Sequence, residues 1–307
     1  MYLKLLIISL IFLSKTSLAQ FNSNFKVQEL STTDTSTGQY SIIFNQLKDK
    51  QIIAIGEASH GTHEFYSVKS SIIKNLVQYE KFTTLALEMD ENIAEKLNQY
   101  TSGNLEEISS ILKNYGLYNS QELNSLITWI KQYNSTQSDS LNKISIIGFD
   151  NQDYWNYPYN RDSLMFENLD SKRNEAKTII WAHNSHIIKG STWDTTNSGV
   201  KSMGQYLDKR YKDDYYVLVL DTYSGRLNTI ENGLIASFDF TIDKELLPIN
   251  FANYILVSKG NQRPLKYNLT NLSSNLKGNP RLFPIIIDLD IDALIFIKET
   301  TPSIILK

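Results

Sequence analysis

The chain has 307 residues, 41% hydrophobic and 21% charged, with a formal net charge of −3 and no cysteine. That composition suits a globular protein large enough to bury a core without covalent staples, and the missing cysteines exclude disulfides, thiol nucleophiles and thiolate metal sites together. No run of lysine or arginine is present to track a phosphate backbone, which argues against nucleic acid as a partner.

The N-terminal "MYLKLLIISLIFLSKTSLAQ" has a basic Lys4, an apolar stretch from Leu5 to Leu13, and small residues Ser17 and Ala19 placed for cleavage before Gln20. This is the pattern of a secretory signal peptide over 1–19, too short for a spanning helix; a signal anchor is the competing reading. Cleavage removes Lys4 and Lys15 and moves the net charge from −3 to −5. A periplasmic or secreted protein with no stable membrane association after cleavage is expected. Residues 20–307 read as one α/β domain.

"QIIAIGE" reads as a buried strand, and "FYSVKSSIIKNLVQY" places Phe65, Val68, Ile72 and Leu76 on one helical face. "TTLALE" is the next strand. "ENIAEKLNQY", "LEEISSILKNYG" and "QELNSLITWIKQY" read as three amphipathic helices, a small helical insertion over about 90–135. A polar loop, "NSTQSDSLN", separates them from two more strands, "KISIIGFD" and "KTIIWAHNSH". A helix near "SMGQYLDKRY" precedes the strand "YYVLVLD", and "NYILVS", "PIIIDL" and "DALIFIK" are further strand candidates. Apolar strands alternating with helices predict a mostly parallel sheet with helices on both faces.

Four of these strands run straight into polar residues: Glu57 and His60, then Glu88, then Asp150, then His183 and His186. Parallel strands share one carboxyl edge, and ligands bind in the crevice outside it. A lone histidine or glutamate after a strand is more often a cap or a satisfied polar group. Four strand ends delivering carboxylate and imidazole to one edge point instead to a shared site. A serine nucleophile elbow is absent, because Ser59 in "GEASHG" is out of register for it. The zincin motif and glycine-rich phosphate loops are absent too. What is left is a neutral histidine that takes a proton from water, oriented by a carboxylate, with a second histidine or a cation to steady an oxyanion.

"GEASHGTHEFY", the glutamate ending "LALE", "GFDNQ", "WAHNSH" and "DALIFIKETTP", in that order, resemble the erythromycin esterase family. The resemblance implies an α/β core and hydrolysis of an ester or lactone by water without a covalent serine intermediate. It makes His60 the general base, with Glu57 as its motif glutamate, Glu88 as the strand-end glutamate, and His183 as the histidine of the W-A-H-N motif; stabilising developing charge is the role expected of His183 here. An essential arginine of the macrolide esterases, on the helix after the motif, is replaced here by Lys69. Lysine keeps the charge and loses the planar fork. The segment between Glu88 and "WAHNSH" is also shorter than in those enzymes, whose helical insertion walls the antibiotic cleft.

Substrate-contact candidates are Lys69, His186, His63, Asp150, Gln152 and Asn184. His63 either assists His60 or helps start a helix; Gln152 and Asn184 are amides suited to holding a carbonyl, a water or a neighbouring strand. "NQDYWNYPYN" either lines a substrate pocket or buries its rings against the fold. No cofactor is expected. Two rivals stay open: a metal-dependent hydrolase using the same histidines and carboxylates for a divalent ion, and a non-catalytic small-molecule binder on the same fold.

Overall fold

The computed structural model describes residues 24–33, 37–104, 107–190, 200–260, 265–272 and 280–307. The proposed signal segment 1–19 lies outside the described residues. The strands are β1 (Phe25–Glu29), β2 (Ile52–Glu57), β3 (Thr84–Asp90), β4 (Ser145–Asp150), β5 (Thr178–His183), β6 (Tyr215–Glu231), β7 (Leu234–Thr241), β8 (Asn253–Ser258), β9 (Leu265–Asn271), β10 (Arg281–Ile287) and β11 (Ala293–Thr300). The described helices are α1 (Ser41–Leu47), α2 (His63–Glu80), α3 (Glu91–Thr101), α4 (Ile108–Leu112), α5 (Gln121–Thr136), α6 (Arg161–Lys172), α7 (Asn184–Ile187) and α8 (Met203–Tyr211).

Nine strands form one sheet in the order β1-β8-β11-β6-β2-β5-β3-β4, with β7 paired to β6. From β11 to β4 every pairing is parallel, whereas β1, β7 and β8 join antiparallel. The sheet is therefore mixed and mostly parallel, as expected. The central strands are apolar on both faces because both faces are covered. Along β2, Ile53 and Ile55 pack with Phe65, Ile72 and Leu76 of α2 and Leu123 and Ile127 of α5. Ile52 and Ala54 point the other way, toward Met165 and Leu169 of α6 and Met203 and Leu207 of α8.

The structure differs from the sequence reading in three places. The strand at "YYVLVLD" continues to Glu231 and turns back as β7 through Asn232 and Gly233, at φ 50° and 79°. An Asn-Gly pair with positive φ at both positions is the favoured two-residue hairpin turn. The "PIIIDL" strand does not join the main sheet; β10 pairs with β9 as a separate two-stranded unit. The middle helix of the insertion shrinks to the five residues of α4, because Gly116, at φ 57°, opens a new 3-10 turn.

Two features of the backbone prepare the carboxyl edge. Glu57 is directly paired with His183 across β2 and β5, so two motif residues meet by register alone. Between Leu87 and Asp90 the β3–β4 ladder slips by one residue. That bulge releases Glu88 from the regular ladder at the edge, where bulges commonly re-aim a side chain.

Candidate active site

The "GEASHG" segment is the loop between β2 and α2. Helix α2 begins only at His63, so His60 stands in the loop ahead of it. Both glycines are sites of close approach. A Cβ on Gly56 would lie 2.1 Å from the Asn184 amide oxygen, and one on Gly61 would lie 1.9 Å from the Asn228 carbonyl. Ser59 is buried with its hydroxyl against that of Thr62, so it is no free nucleophile. Tyr66 donates its hydroxyl to the His60 carbonyl and fixes the loop from the first turn of α2.

His60 Nδ1 lies 2.8 Å from Glu57 Oε1. The carboxylate accepts the Nδ1 proton, which leaves Nε2 with its lone pair outward. No described residue bonds Nε2, and the side chain is 22% exposed, enough for water to reach it. Burial opposes protonation of this ring, but its hydrogen bond to Glu57 and the charges of Glu88 and Glu57 outweigh it, and the pKa is raised.

Glu57 is itself held from behind. Trp181 donates its indole N–H to Oε1 at 3.4 Å. Lys69 Nζ stands 3.0 Å from Oε2, an ion pair lying off the hydrogen-bonding direction, with both side chains fully buried. Lys69 also donates to the Ala182 carbonyl at 3.1 Å and lies over the Trp181 ring. Its burial lowers its pKa to about 8 against the opposing pull of Glu57. Lys69 is thus neither a solvated surface lysine nor a substrate contact. It supports Glu57.

His183 departs most from expectation. Its Nδ1 faces the Ser185 amide at 3.2 Å and hydroxyl at 2.8 Å, and Nε2 lies 3.1 Å from the Ala58 carbonyl. An amide N–H only donates, so Nδ1 accepts and the proton is on Nε2, given to Ala58. Burial, with the charge of His60, lowers the pKa to about 3. A neutral imidazole with both nitrogens engaged has no donor left for an oxyanion. His183 instead ties β5 to the "GEASHG" loop, its ring centroid 5.5 Å from that of His60.

Glu88 is the hub of the other half. Oε2 accepts the His183 backbone N–H at 2.7 Å, and Oε1 lies 3.3 Å from both His186 Nε2 and Arg161 Nη2. Burial favours the neutral acid, but His186, His60, Arg161 and the amide together hold its pKa far below the carboxylate range. Asp150 receives the Arg161 fork, at 3.2 Å from Nε and 2.7 Å from Nη2. Asp162 lies 3.0 Å from His186 Nδ1. Burial lowers and Asp162 and Glu88 raise the His186 pKa, with a net rise.

The structure therefore brings Glu57, His60, Glu88, Asp150, His183 and His186 together, and leaves three candidates outside. His63 turns to Glu122, 2.6 Å away on α5, because it opens α2 and its ring faces the neighbouring helix. Asn184 is fully buried, its amide donating to the Leu220 carbonyl at 2.9 Å and so joining α7 to β6. Gln152 opens an exposed 3-10 turn. The aromatic loop buries little: Trp155, Tyr157 and Tyr159 are exposed, with Trp155 stacked 4.3 Å from the Arg161 guanidinium.

Arg161 and Asp162 were not singled out from the sequence. They open α6 after the aromatic loop, and only the fold returns them to the β3 and β4 ends. The guanidinium that Lys69 lacks thus enters this cluster from a different helix.

The erythromycin esterase family model matches residues 77–158 and 154–244, more than half of the chain. That stretch carries Glu88, Asp150, Arg161, His183 and His186, and the "GEASHG" loop precedes it. Three solved structures share the fold. A Bacillus cereus protein superposes with a TM-score of 0.77 at 18% identity, over 92% of this chain and 97% of that one. A succinoglycan biosynthesis protein gives 0.78 at 19%, over 95% and 98%. A mutant of the erythromycin esterase EreC in its open conformation gives 0.67 at 13%, over 90% and 98%.

Proposed function

Because the chain belongs to the erythromycin esterase family, we propose that it is a hydrolase that opens a carboxylic ester or lactone with water activated at His60. The observation that carries this reading is the dyad itself: Glu57 fixes Nδ1 at 2.8 Å while Nε2 is unclaimed and open to solvent. A protein that only binds a small molecule has no use for an imidazole whose base nitrogen is kept free and whose tautomer is set by a buried carboxylate.

In the proposed reaction Nε2 takes a proton from water as the water oxygen bonds to the carbonyl carbon. The C=O π pair moves onto oxygen. When the tetrahedral adduct collapses, that pair re-forms the carbonyl, the bond to the leaving oxygen breaks, and imidazolium returns its proton to the alkoxide. The products are one acid and one alcohol, joined in one molecule when the substrate is a lactone. Glu88, whose charge acts on His60, and Arg161, joined to it at 3.3 Å, hold the second half of the site beside the base. A screen of esters and lactones with purified protein, with His60→Ala as control, tests the assignment. Hydrolysis by the native protein alone supports it, and no turnover of any member overturns it. On the 1–19 pattern, we place the hydrolase outside the cytoplasm.

The metal-dependent rival fits the donor set poorly. Among the described residues no three His, Asp or Glu side chains are placed to hold an ion. Both His183 nitrogens are committed, and the cations Arg161 and Lys69 already neutralise the carboxylates a metal would need. Chelator treatment followed by dialysis is expected to leave ester hydrolysis unchanged. Loss on chelation with recovery on adding zinc or manganese would decide for the metal.

Erythromycin itself is expected to be a poor substrate. The wall offered by α3, α4 and α5 is short, with α4 only five residues, and pockets gain affinity by enclosing most of a ligand's surface. Ring opening followed by mass spectrometry should show negligible turnover alongside measurable hydrolysis of a small activated ester. A kcat/KM near about 10⁴ M⁻¹s⁻¹ or above for the macrolide, at the low end of typical enzymes, would contradict this.

A further inference from the structure

An ester hydrolase needs a donor aimed at the carbonyl oxygen as charge develops there, and the residues around His60 are mostly spoken for. His183 gives its proton to Ala58. Lys69 is spent on Glu57 and Ala182, and Arg161 on Asp150 and Glu88. Among the described residues, three buried side-chain donors have no partner: the hydroxyls of Ser70, Tyr118 and Tyr254. Tyr254 stacks on Phe296, centroids 5.1 Å apart, and Ser70 lies within α2. Tyr118 alone packs against the proposed base, its ring centroid 5.7 Å from that of His60 at an interplanar angle of 40°.

We propose that Tyr118 is the oxyanion donor, its hydroxyl giving a hydrogen bond to the carbonyl oxygen of the ester as water adds from His60. This rests on the hydrolase reading above and assigns its missing group. A buried tyrosine hydroxyl without a partner is costly, and such a cost is retained where the group has work in a state the resting protein does not show. Water adds to carbon, the π pair arrives on oxygen, and the Tyr118 O–H bond stays intact while it donates. Burial, with the nearby charges of Glu88 and Glu57, raises the phenol pKa well above 10, so the proton stays on Tyr118 throughout the working range.

The segment is built to hold that hydroxyl still. Tyr118 ends the 3-10 turn Gly116–Tyr118 and is 8% exposed. The C-terminal tail clamps the next residues: Asn119 donates to the Leu306 carbonyl at 2.8 Å and accepts the Leu306 N–H at 2.9 Å, and the Gln121 N–H reaches the Ile304 carbonyl at 2.7 Å. The tail is fixed in turn by Glu64 of α2, which accepts from the Thr301 amide and hydroxyl, each at 2.7 Å. The "THEF" and "ETTP" pieces thus meet to brace the tyrosine from outside the site.

Tyr118→Phe tests the assignment, with p-nitrophenyl acetate as substrate and p-nitrophenyl methylphosphonate as a tetrahedral anionic probe measured by calorimetry. Removing one oxyanion donor is expected to lower kcat by about 100- to 1000-fold and to weaken phosphonate binding in native-like protein, with KM shifted by no more than about twofold. The pH midpoint should stay where His60 sets it, and the melting temperature should hold or rise, because no partner is orphaned. Near-native kcat in the variant overturns the donor role alone. So does a variant that fails to fold, since a free hydroxyl cannot carry stability. Native protein inactive on every ester tested overturns the hydrolase reading and this role with it.

Discussion

His60→Ala is expected to lower kcat by at least about a hundredfold on any ester the native protein turns over, the low end of what a positioned general base contributes. The pH dependence carries more information than the loss. Activity needs unprotonated Nε2, and Glu57 and Glu88 raise the His60 pKa above its ordinary 6.5. Activity should therefore rise with pH through a midpoint displaced upward from that value. Stability moves the opposite way. A histidine whose folded pKa is raised stabilises the fold fully below its unfolded pKa, and that contribution is lost as pH rises through the folded pKa. His186, raised between Asp162 and Glu88, adds to the same trend. The window in which the base switches on is thus the window in which these two histidines cease to support the fold. Glu57→Gln should lower the activity midpoint, because the neutral amide favours imidazolium less. A midpoint that does not move in that variant, or full activity in His60→Ala, would remove the dyad from the mechanism.

The carboxyl edge was legible in the sequence because it obeys local rules. "QIIAIGE", "TTLALE", "KISIIGFD" and "KTIIWAH" are continuous apolar runs, which both-face burial demands, and their last residues fall at the edge by strand direction alone. Register then makes Glu57 face His183 with no further instruction. What the residues do there depends on neighbours that no spacing rule supplies. His183 has the sequence signature of a catalytic imidazole, yet the Ser185 amide and the Ala58 carbonyl use both its nitrogens. Lys69 and a surface lysine read alike until the α2–sheet packing fixes which side of the helix faces Glu57. Arg161 and Tyr118 come from a helix start and a 3-10 turn that lie outside the motifs. Their placement is a property of the closed fold. The β6–β7 hairpin is different: "ENGL" carried a strong turn signal, and the weak alternation of its flanks hid it.

Lys69→Met is expected to be the most destabilising single change at the site. Lys69 and Glu57 are both fully buried, and removing one partner of a buried pair typically costs about 3–5 kcal/mol, because the other charge is left uncompensated. Two opposing effects place the loss at the lower end of that range. The ammonium is itself destabilised by burial, as its pKa of about 8 records, and His60 offers Glu57 a second, partial counter-charge at 2.8 Å. The sign with pH follows from the unpaired carboxyl. An unpaired buried carboxylate is relieved when it takes up a proton, so the deficit should shrink as the pH is lowered. Urea melts of native and variant protein at neutral and mildly acidic pH measure both effects. The double variant Lys69→Met, Glu57→Gln removes the orphaned charge and should recover most of the stability while keeping the lowered activity midpoint of Glu57→Gln, since the amide oxygen still accepts the Nδ1 proton but favours imidazolium less. A single variant as stable as the native protein at neutral pH would mean that Glu57 is held by Trp181 and His60 without Lys69, and that the lysine in place of the family arginine serves something other than this carboxylate.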